Sequence, residues 1–449
     1  MSNELFEKAP IRTAYLKLAI PVVMSMVVQL VYSMVDTYFI ALTGNTALIA
    51  GVSICTPLFT LFLAFGDMFA LGGSSFISRL LGAGRGEDGK RLSVFCMYAS
   101  IAFGILVSVV LMLFKTQILT FLGADGDTFT YASQYYQFIV LGSTFIIYSL
   151  VPSNLMRTVG HPNASMITSI IGAVVNIILD PIFIFGLGMG AAGAAIATVI
   201  GYITSDAFAI WYTANKCEGL SVKLSDFGLQ PGELGKIFAV GLPASVTNFT
   251  QTLGMTLTNR ALSDYGSDSI AVMGIVLKIV NIVMLVIVGL AFGGQPLTGY
   301  VYGSGNKKRL RKVLSFAYRI VGGTAAVMAA IVALLAPILM RAFLKDQSLV
   351  DQGVMMLRLQ MPGMILMGLG LVTICTFQST GKGMPALILS LCRQGVVYAA
   401  VIFVFQKLFG YMGVITSQLG ADVISVLIAA GLFIAFILPE LRDETKTEI

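Results

Sequence analysis

Apolar residues occur along this chain in long runs that are separated by short polar segments. A helix needs about 20 apolar residues to cross roughly 30 Å of hydrocarbon, and these runs reach that length. Strand-like alternation over about 10 residues, the pattern of a membrane barrel, does not occur in the sequence. The pattern therefore predicts an all-α polytopic membrane protein with twelve transmembrane helices. The predicted spans are 15–42, 48–78, 92–114, 133–155, 164–186, 191–213, 235–262, 269–300, 313–340, 349–376, 385–409 and 413–438.

The composition supports the same class of protein. Of the 449 residues, 57% are hydrophobic and only 11% are charged. A soluble domain has about 25% charged residues, so the deficit of charge excludes a large soluble core.

Basic residues indicate which side of the membrane each connecting segment faces, because Lys and Arg are enriched in cytoplasmic loops. With the N-terminus inside, most basic residues fall in inner segments, including Lys446 near the C-terminus. We therefore expect a multi-pass protein of the cell membrane (plasma or inner) with both termini cytoplasmic. The net charge of +6 then reflects topology and contact with anionic lipid, not nucleic-acid binding. The outer segments hold only Lys115, Arg260, Arg341, Lys345 and Lys407.

The chain repeats its own pattern after about 221 residues. An Ile-Pro pair ending at Pro21 in the first span is matched by a Leu-Pro pair ending at Pro243 in the seventh. Each half has six spans, so both halves enter the membrane in the same direction, as in transporters built from parallel repeats. The sequence predicts two pseudo-symmetric six-helix bundles, an N-lobe at 1–214 and a C-lobe at 237–449, joined by a cytoplasmic linker at 215–236.

Two aspartates lie inside apolar runs, where a charge is costly. Asp36 is in the first span and Asp180 in the fifth, and a charged Asp at a helix centre costs roughly 2.5–3.5 kcal/mol. Each precedes the outer end of its helix by about six residues, which places both roughly 9 Å below the outer surface. Thr198 enters the sixth span at a similar depth, and Asn176 shares a helix face with Asp180. These four residues are predicted to form a site for ion or proton coupling.

Two carboxylates, an amide and a hydroxyl at one depth suit two kinds of cation. Oxygen ligands fit a hard cation such as Na⁺. Two close carboxylates equally fit a proton that they share. A third interpretation, in which each residue makes a private hydrogen bond between helices, explains two aspartates at matching depth less well. The sequence therefore leaves Na⁺ and H⁺ open as the coupling ion, and it predicts no other cofactor.

Further polar residues in the spans are candidates for a substrate cavity. In the first half, Asp67 and Asp206 lie deeper, where an inner vestibule and simple capping or interhelical bonding are both compatible with them. The predicted cavity residues are Gln29, Tyr32, Ser33, Asp67, Asp206, Lys278 and Arg393.

The second half does not repeat the acidic cluster. The positions that correspond to the two aspartates hold Thr258 and Ile402, so ion coupling is predicted for the N-terminal half alone. Lys278, Arg358 and Asp422 in this half either pair with one another or line the cavity.

Two glycine-rich segments look like nucleotide-binding loops but lack the required context. Residues 84–90 match the first seven positions of a phosphate-binding loop, but Arg91 replaces the Ser or Thr at the eighth. Residues 188–193 fit GxGxxG without a preceding strand. The sequence also has no catalytic constellation, so we expect neither an enzyme nor a nucleotide or nucleic-acid partner.

Four segments carry a family resemblance. They are LAIPVVMSMVVQLVYSMVDTYFI at 18–40, SRLLGAGRG at 78–86, NIILDPIFIFG at 176–186 and GAAGAAIAT at 190–198. In these segments the chain resembles the multidrug and toxic compound extrusion (MATE) family of the MOP type, and its DinF-like branch most. The resemblance implies two bundles that alternate access and export amphipathic, often cationic compounds in exchange for Na⁺ or H⁺. It also implies a coupling site at Asp36, Asn176, Asp180 and Thr198, and a first helix that bends at Pro21.

Two other interpretations remain open. A flippase or exporter of a lipid-linked or metabolite substrate belongs to the same superfamily, but such relatives usually have more helices and a strongly basic central cavity. A non-transporting membrane protein fits less well, because the sequence shows no soluble domain and no catalytic motif. We expect a monomer in the lipid bilayer that handles a small organic substrate.

Overall fold

The structure is a computed structural model that describes residues 2–442, with side chains at all of these positions except 2, 3, 248, 249, 251, 252 and 267. Every regular element in the described chain is helical, so the all-α prediction is confirmed. Lys446 lies outside the described residues. The long helices of the first half are α1 (Ile11–Leu42), α2 (Thr46–Gly82), α3 (Gly86–Leu113), α4 (Gly126–Leu141 and Ser143–Thr158), α5 (Pro162–Gly186) and α6 (Gly190–Lys216).

The second half contains six further long helices, numbered on in chain order. They are α7 (Glu233–Ser263), α8 (Ser267–Gly293, continued by Gln295–Gly303), α9 (Lys307–Phe343), α10 (Gln347–Ser379), α11 (383–409) and α12 (411–436).

The helices account for the twelve predicted spans. Within the described chain, nine helical stretches are long and apolar enough to cross a membrane, and ten if the two parts of α4, bent by 46°, form one span. The more polar α7 is an eleventh. The twelfth arises because the stretch Gly383–Phe436 contains both α11 and α12.

The break between α11 and α12 lies at Gly410, whose φ of 57° is open to glycine at little steric cost. A Cβ on Gly413 would lie 1.9 Å from the carbonyl oxygen of Phe405. In a straight helix, residues eight apart are separated by about 12 Å along the axis. The chain therefore turns back on itself at Gly410.

Contacts divide the chain into two compact units, and the divisions fall inside helices. Unit 1 comprises Met1–Leu5 and Met24–Ser245, and unit 2 comprises Phe6–Val23 and Val246–Ile449. Both α1 and α7 thus contribute to both units. The lobe boundaries at 214 and 236 follow the polar linker in the sequence and stay a prediction. Pro21, the predicted bending point, lies inside the continuous helix α1, just before its passage from unit 2 to unit 1.

The start of α1 is held in unit 2 by close contacts with α8. The hydroxyl group of Tyr15 donates to the carbonyl oxygen of Leu290 at 2.9 Å. Gly293 faces α1 where the two backbones pass, since a Cβ there would lie 2.3 Å from the Cα of Ala19.

The start of α7 is held in unit 1 in the same manner, by contacts with α2. Ser245 Oγ donates to the carbonyl oxygen of Ala64 at 2.6 Å. A Cβ on Gly241 would lie 2.0 Å from the carbonyl oxygen of Met68. The corresponding helices of the two halves, α1 with α8 and α7 with α2, therefore pack in the same way.

The polar segment between α6 and α7 belongs to unit 1, where this segment and the first residue of α7 contact α3. Arg91 at the start of α3 donates to Glu233 Oε1 at 2.7 Å, and the Glu233 side chain is nearly buried. Within the segment, Ser221 Oγ donates to Asp226 Oδ2 at 2.5 Å. This hydrogen bond lowers the pKa of Asp226, because it stabilises the carboxylate. The predicted linker is therefore attached to unit 1 by specific side-chain contacts.

Candidate functional site

Helix α5 changes its winding immediately after Asp180. It is α-helical over Pro162–Pro181 and continues as a π-helical turn over Ile182–Gly186. A proline removes a backbone N–H and crowds the preceding carbonyl, and π-turns occur frequently at functional sites. Asp180 lies one residue before Pro181, and its side chain is fully buried.

Glycines let α5 and α6 approach closely at the level of the predicted site. A Cβ on Gly201 of α6 would lie 2.8 Å from the carbonyl oxygen of Gly172 in α5. That distance is shorter than van der Waals contact, so the helices can be this close only because both positions are glycine. The close approach brings Thr198 of α6 against Asn176 of α5.

Asn176 connects Thr198 to Asp180 through its amide group. With its oxygen turned toward α6, Asn176 accepts from the Thr198 N–H at 3.0 Å and from Thr198 Oγ1 at 3.3 Å. Its Nδ2 then donates to Asp180 Oδ2 at 3.0 Å. This orientation satisfies both ends of the amide, whereas the opposite one points the oxygen at acceptors. The amide therefore fixes the Asp180 carboxyl group relative to α6.

Asp36 of α1 completes the cluster. Its carboxyl group lies within hydrogen-bonding reach of the Asp180 carboxyl group. Two ionised carboxylates are acceptors only, so this contact requires either a proton that they share or a cation beside them. Within the described chain, Asp36 Oδ1 and Asp180 Oδ1 are buried and have no hydrogen-bond partner. Each aspartate therefore keeps one oxygen available to a cation.

A cavity of about 90 Å³ adjoins this cluster in unit 1. Gln29 and Tyr32 of α1 line it, and Tyr32 also makes a hydrogen bond with Thr198. Hydroxyl groups, among them those of Ser149 and Thr168, line the other walls. A cavity of this size with hydroxyl and amide groups in its walls can hold water. The acidic cluster therefore adjoins a space in which polar groups are accessible inside an otherwise apolar bundle.

The other cavity candidates of the first half do not line this space. Ser33 is exposed on α1. Asp67 of α2 is partly buried and lies close enough to Arg157 to act on it electrostatically. Asp206 is 3% exposed and follows Ser205, which does line the cavity.

Unit 2 has hydroxyl groups where unit 1 has its acidic cluster. Thr258 Oγ1 and Tyr398 OH lie 2.5 Å apart, at positions that the repeat aligns with Asp36 and Asn176. The charged residue of this region, Asp422, accepts from Arg393 Nε at 3.3 Å and from Gln418 Nε2 at 3.2 Å. The acidic pair of unit 1 therefore has no counterpart at the matching described positions of unit 2.

Lys278, Arg358 and Asp422 were expected either to pair with one another or to line the cavity, and the contacts in the described chain contradict the first of these alternatives. Lys278 is exposed, and Arg358 Nε donates to the carbonyl oxygen of Ala333 at 3.1 Å. The partner of Asp422 is Arg393, which precedes it by 29 residues on another helix. Sequence reasoning missed this pair because no local spacing links the two residues. Their opposite charges inside neighbouring spans were the one available signal.

Adding a side chain at Gly201 is expected to destabilise unit 1, because it moves α6 away from α5 at the candidate site. In Gly201→Val, the new Cβ meets the Gly172 carbonyl oxygen at 2.8 Å, so α5 and α6 must separate. Overpacking of this kind costs about 1–3 kcal/mol. The free energy of unfolding, measured by SDS titration in mixed micelles, checks the loss. Gly323→Val is the matched control, because a Cβ at that exposed glycine meets nothing within 4 Å. Equal stability of both variants would contradict the proposed packing role of Gly201.

Comparison with known sequences identifies both halves of the chain. The MatE family model matches residues 21–182 and matches again at 243–404, one match to each half of the repeat. The multidrug export protein MepA of Staphylococcus aureus is 32% identical over 444 residues, which cover 99% of this chain and 98% of that protein.

Solved structures show the same relationship. A MOP superfamily transporter from Pyrococcus furiosus superposes with a TM-score of 0.91 at 25% sequence identity, over 98% of each chain. A multidrug resistance MATE family transporter in an outward-facing conformation gives the same TM-score, identity and coverage. By its matches in both halves and along its whole length, this chain belongs to the MATE family of membrane transporters.

Proposed function

We propose that this protein is a secondary active antiporter that exports amphipathic, often cationic organic compounds in exchange for Na⁺ or H⁺ by alternating access. Export of drugs is supported by the name of the relative MepA, a multidrug export protein, and the amphipathic, often cationic character of the substrates is what the family resemblance implies. One observation in this chain supports ion coupling above all others, namely the contact between the carboxyl groups of Asp36 and Asp180 inside an apolar bundle.

The carboxyl pair is suited to coupling because its charge depends on a cation. With a proton or Na⁺ bound, the pair carries one negative charge or fewer, and the contact is favourable. Without the cation, two like charges lie side by side in a buried setting, which is unfavourable. Loss of the cation therefore favours a second arrangement of α1, and Pro21 is the predicted point at which that helix bends. Substrate that binds preferentially to one arrangement would then exchange against the ion.

The residues fit a proton more readily than Na⁺ in the arrangement described. Asn176 uses its oxygen for Thr198 and presents Nδ2 to Asp180, so the amide oxygen is not directed at the pair. A Na⁺ site would therefore need the amide to turn over and to contribute its oxygen.

A lipid-linked anionic substrate, the alternative within the superfamily, has less support. Its recognition would favour unpaired basic residues in the protein interior. In the described part of unit 2, Arg393 is partly buried but is neutralised by Asp422. The exposed fractions of these side chains, 16% and 1%, leave little of that charge accessible.

Efflux from liposomes tests the proposal. The purified protein is reconstituted with a fluorescent lipophilic cation such as ethidium, and Na⁺ and pH gradients are imposed separately. We expect one of the two gradients to drive movement of the cation against its own gradient, at a rate well above that of protein-free liposomes. Movement that follows only the gradient of the organic cation, whatever the ion gradient, would contradict antiport.

A further inference from the structure

Helix α6 carries a buried carboxyl group, Asp206, that the coupling site does not use. Asp206 is 3% exposed, and within the described chain neither of its carboxyl oxygens has a hydrogen-bond partner. A buried, unpartnered carboxylate is strongly unfavourable, so the group is stable there only as the neutral acid or with a cation beside it. No Lys or Arg of the described residues forms an ion pair with it. A proton is the smallest cation that satisfies this position.

Asp206 lies in line with the coupling site along one helix. Thr198, Tyr202 and Asp206 follow one another at intervals of four residues and so share a face of α6. Eight residues of helix correspond to about 12 Å, so Asp206 lies that far from the level of Thr198, toward the end of α6 at Lys216. That end is the one that the charge pattern predicts to be cytoplasmic.

The cavity extends along most of this interval. Its lining includes Asn176 and Thr198 of the coupling site and, further along, Tyr202 and Ser205 next to Asp206. The centres of water molecules can occupy about 90 Å³ of this cavity, which is room for several waters. The hydroxyl groups and such waters can form a continuous hydrogen-bonded path over the 12 Å.

The groups that surround Asp206 are uncharged, so Asp206 is the group in this region that can supply a proton to the path. Asp206 lies close enough to Tyr148 of α4 and Tyr202 of α6 to act on both electrostatically, and an ordinary tyrosine is neutral at physiological pH. No charged side chain of α2, α4 or α5 in the described chain reaches it by a hydrogen bond. Asp206 directly follows Ser205, which lines the cavity, and so it lies beside the end of the cavity that is further from Asp36 and Asp180.

We propose that Asp206 is a relay residue for the coupling proton, which it exchanges with the Asp36–Asp180 pair through the cavity. The carboxylic acid of Asp206 gives its proton to the hydrogen-bonded path, and a carboxylate oxygen of the pair receives a proton at the other end. Asp206 is left as a carboxylate until it takes up a proton from the cytoplasmic side, and the reverse sequence releases a proton to that side. This inference rests on the proposed antiport and specifies its ion as H⁺.

Kinetic and equilibrium measurements on the full-length protein separate a relay from a binding residue. Wild type, Asp206→Asn and Asp206→Glu are reconstituted in liposomes, and efflux of tetraphenylphosphonium is driven by a pH gradient. Proton transfer by a positioned side chain typically contributes 10²–10⁴-fold, so we expect Asp206→Asn to slow the initial rate by at least about tenfold. Asp206→Glu is expected to restore it. Thr213→Val is the matched control. It removes a different buried polar group of the same helix, a hydroxyl that also has no partner in the described chain, and it should leave the rate unchanged.

Asp206→Asn should not change the number of protons that are released when substrate binds at equilibrium. A pH-sensitive dye reports the protons that the purified protein releases when tetraphenylphosphonium binds. We expect Asp206→Asn to release as many protons as wild type, because the Asp36–Asp180 pair is intact. We also expect wild-type efflux to be slower in D₂O, which tests proton transfer without any variant.

Several results would overturn the relay. They are a wild-type rate in Asp206→Asn, equal losses in Asp206→Asn and Asp206→Glu, a loss of substrate-linked proton release in Asp206→Asn, and no D₂O effect on wild type. Efflux that is driven by Na⁺ alone would overturn the relay and leave the proposed antiport standing. Failure of wild type to respond to either gradient would instead reject the proposed function itself.

Discussion

Replacing Asp36 with asparagine is expected to make substrate affinity independent of the coupling ion. In an antiporter the ion and the substrate weaken each other's binding, and such coupling is typically 1–3 kcal/mol, or roughly 5–150-fold in affinity. Asp36→Asn removes one of the two carboxyl groups in contact, so substrate binding no longer displaces the ion. We expect the ion-dependent shift in the Kd of tetraphenylphosphonium to disappear. Equilibrium binding to protein in nanodiscs, with Na⁺ and pH varied separately, measures this shift.

Two further variants control the result for Asp36. Asp180→Asn is expected to behave in the same way, because it removes the other half of the pair. Asp127→Asn makes the same chemical change at an exposed position at the start of α4, and it should leave the ion-dependent shift at the wild-type value. If Asp36→Asn retained the full shift, the coupling ion would have to bind elsewhere, and the role proposed for the pair would be rejected.

Removing Arg393 is expected to produce the largest loss of stability in unit 2. Arg393→Met leaves Asp422, whose side chain is 1% exposed, without its cation. Breaking a buried ion pair by removing one partner costs about 3–5 kcal/mol, because an uncompensated charge remains. Replacing both residues, as Arg393→Met with Asp422→Leu, should recover most of the loss. The free energy of unfolding in an SDS titration measures both variants.

A more exposed ion pair in the same unit provides the matched control. Lys382 Nζ and Glu440 Oε1 lie 2.5 Å apart, but the two side chains are 20% and 39% exposed. Solvent screens such a pair, so Lys382→Met should cost only about 0–1 kcal/mol. Similar losses in Lys382→Met and Arg393→Met would show that burial does not control the contribution of Arg393, contrary to this prediction.

The sequence indicated which residues lie near one another in the candidate site, but it did not indicate which hydrogen bonds join them. Equal distances from the helix ends placed Asp36, Asp180 and Thr198 at one depth, since an α-helix has a fixed rise per residue. Depth alone does not state which way a side chain faces. The roles of Tyr32 and of the amide orientation of Asn176 depend on the contact between α1, α5 and α6. The spacing of residues in the sequence could not predict those contacts.

The acidic pair of unit 1 and the ion pair of unit 2 both show that the sequence reveals a costly charge more readily than it reveals the partner of that charge. For Asp36 and Asp180, the cost of charge in an apolar run made each residue conspicuous in the sequence. The same cost applied to Arg393 and Asp422, but their pairing connects two helices through a turn at Gly410 and was missed.

The apolar runs were enough to predict a twelve-helix membrane protein, and short motifs that recur after about 221 residues were enough to predict two repeated halves. In hydrocarbon each backbone polar group must find its partner within its own segment, so run length and polarity leave the helix as the one solution for such runs. Which side chains meet depends instead on how closely neighbouring helices pack. The approach of α6 to α5 at Gly201 and Gly172, and the resulting contacts among Asn176, Asp180 and Thr198, follow from interhelical packing over many residues. Those contacts could be learned from the folded molecule and not from the order of its residues.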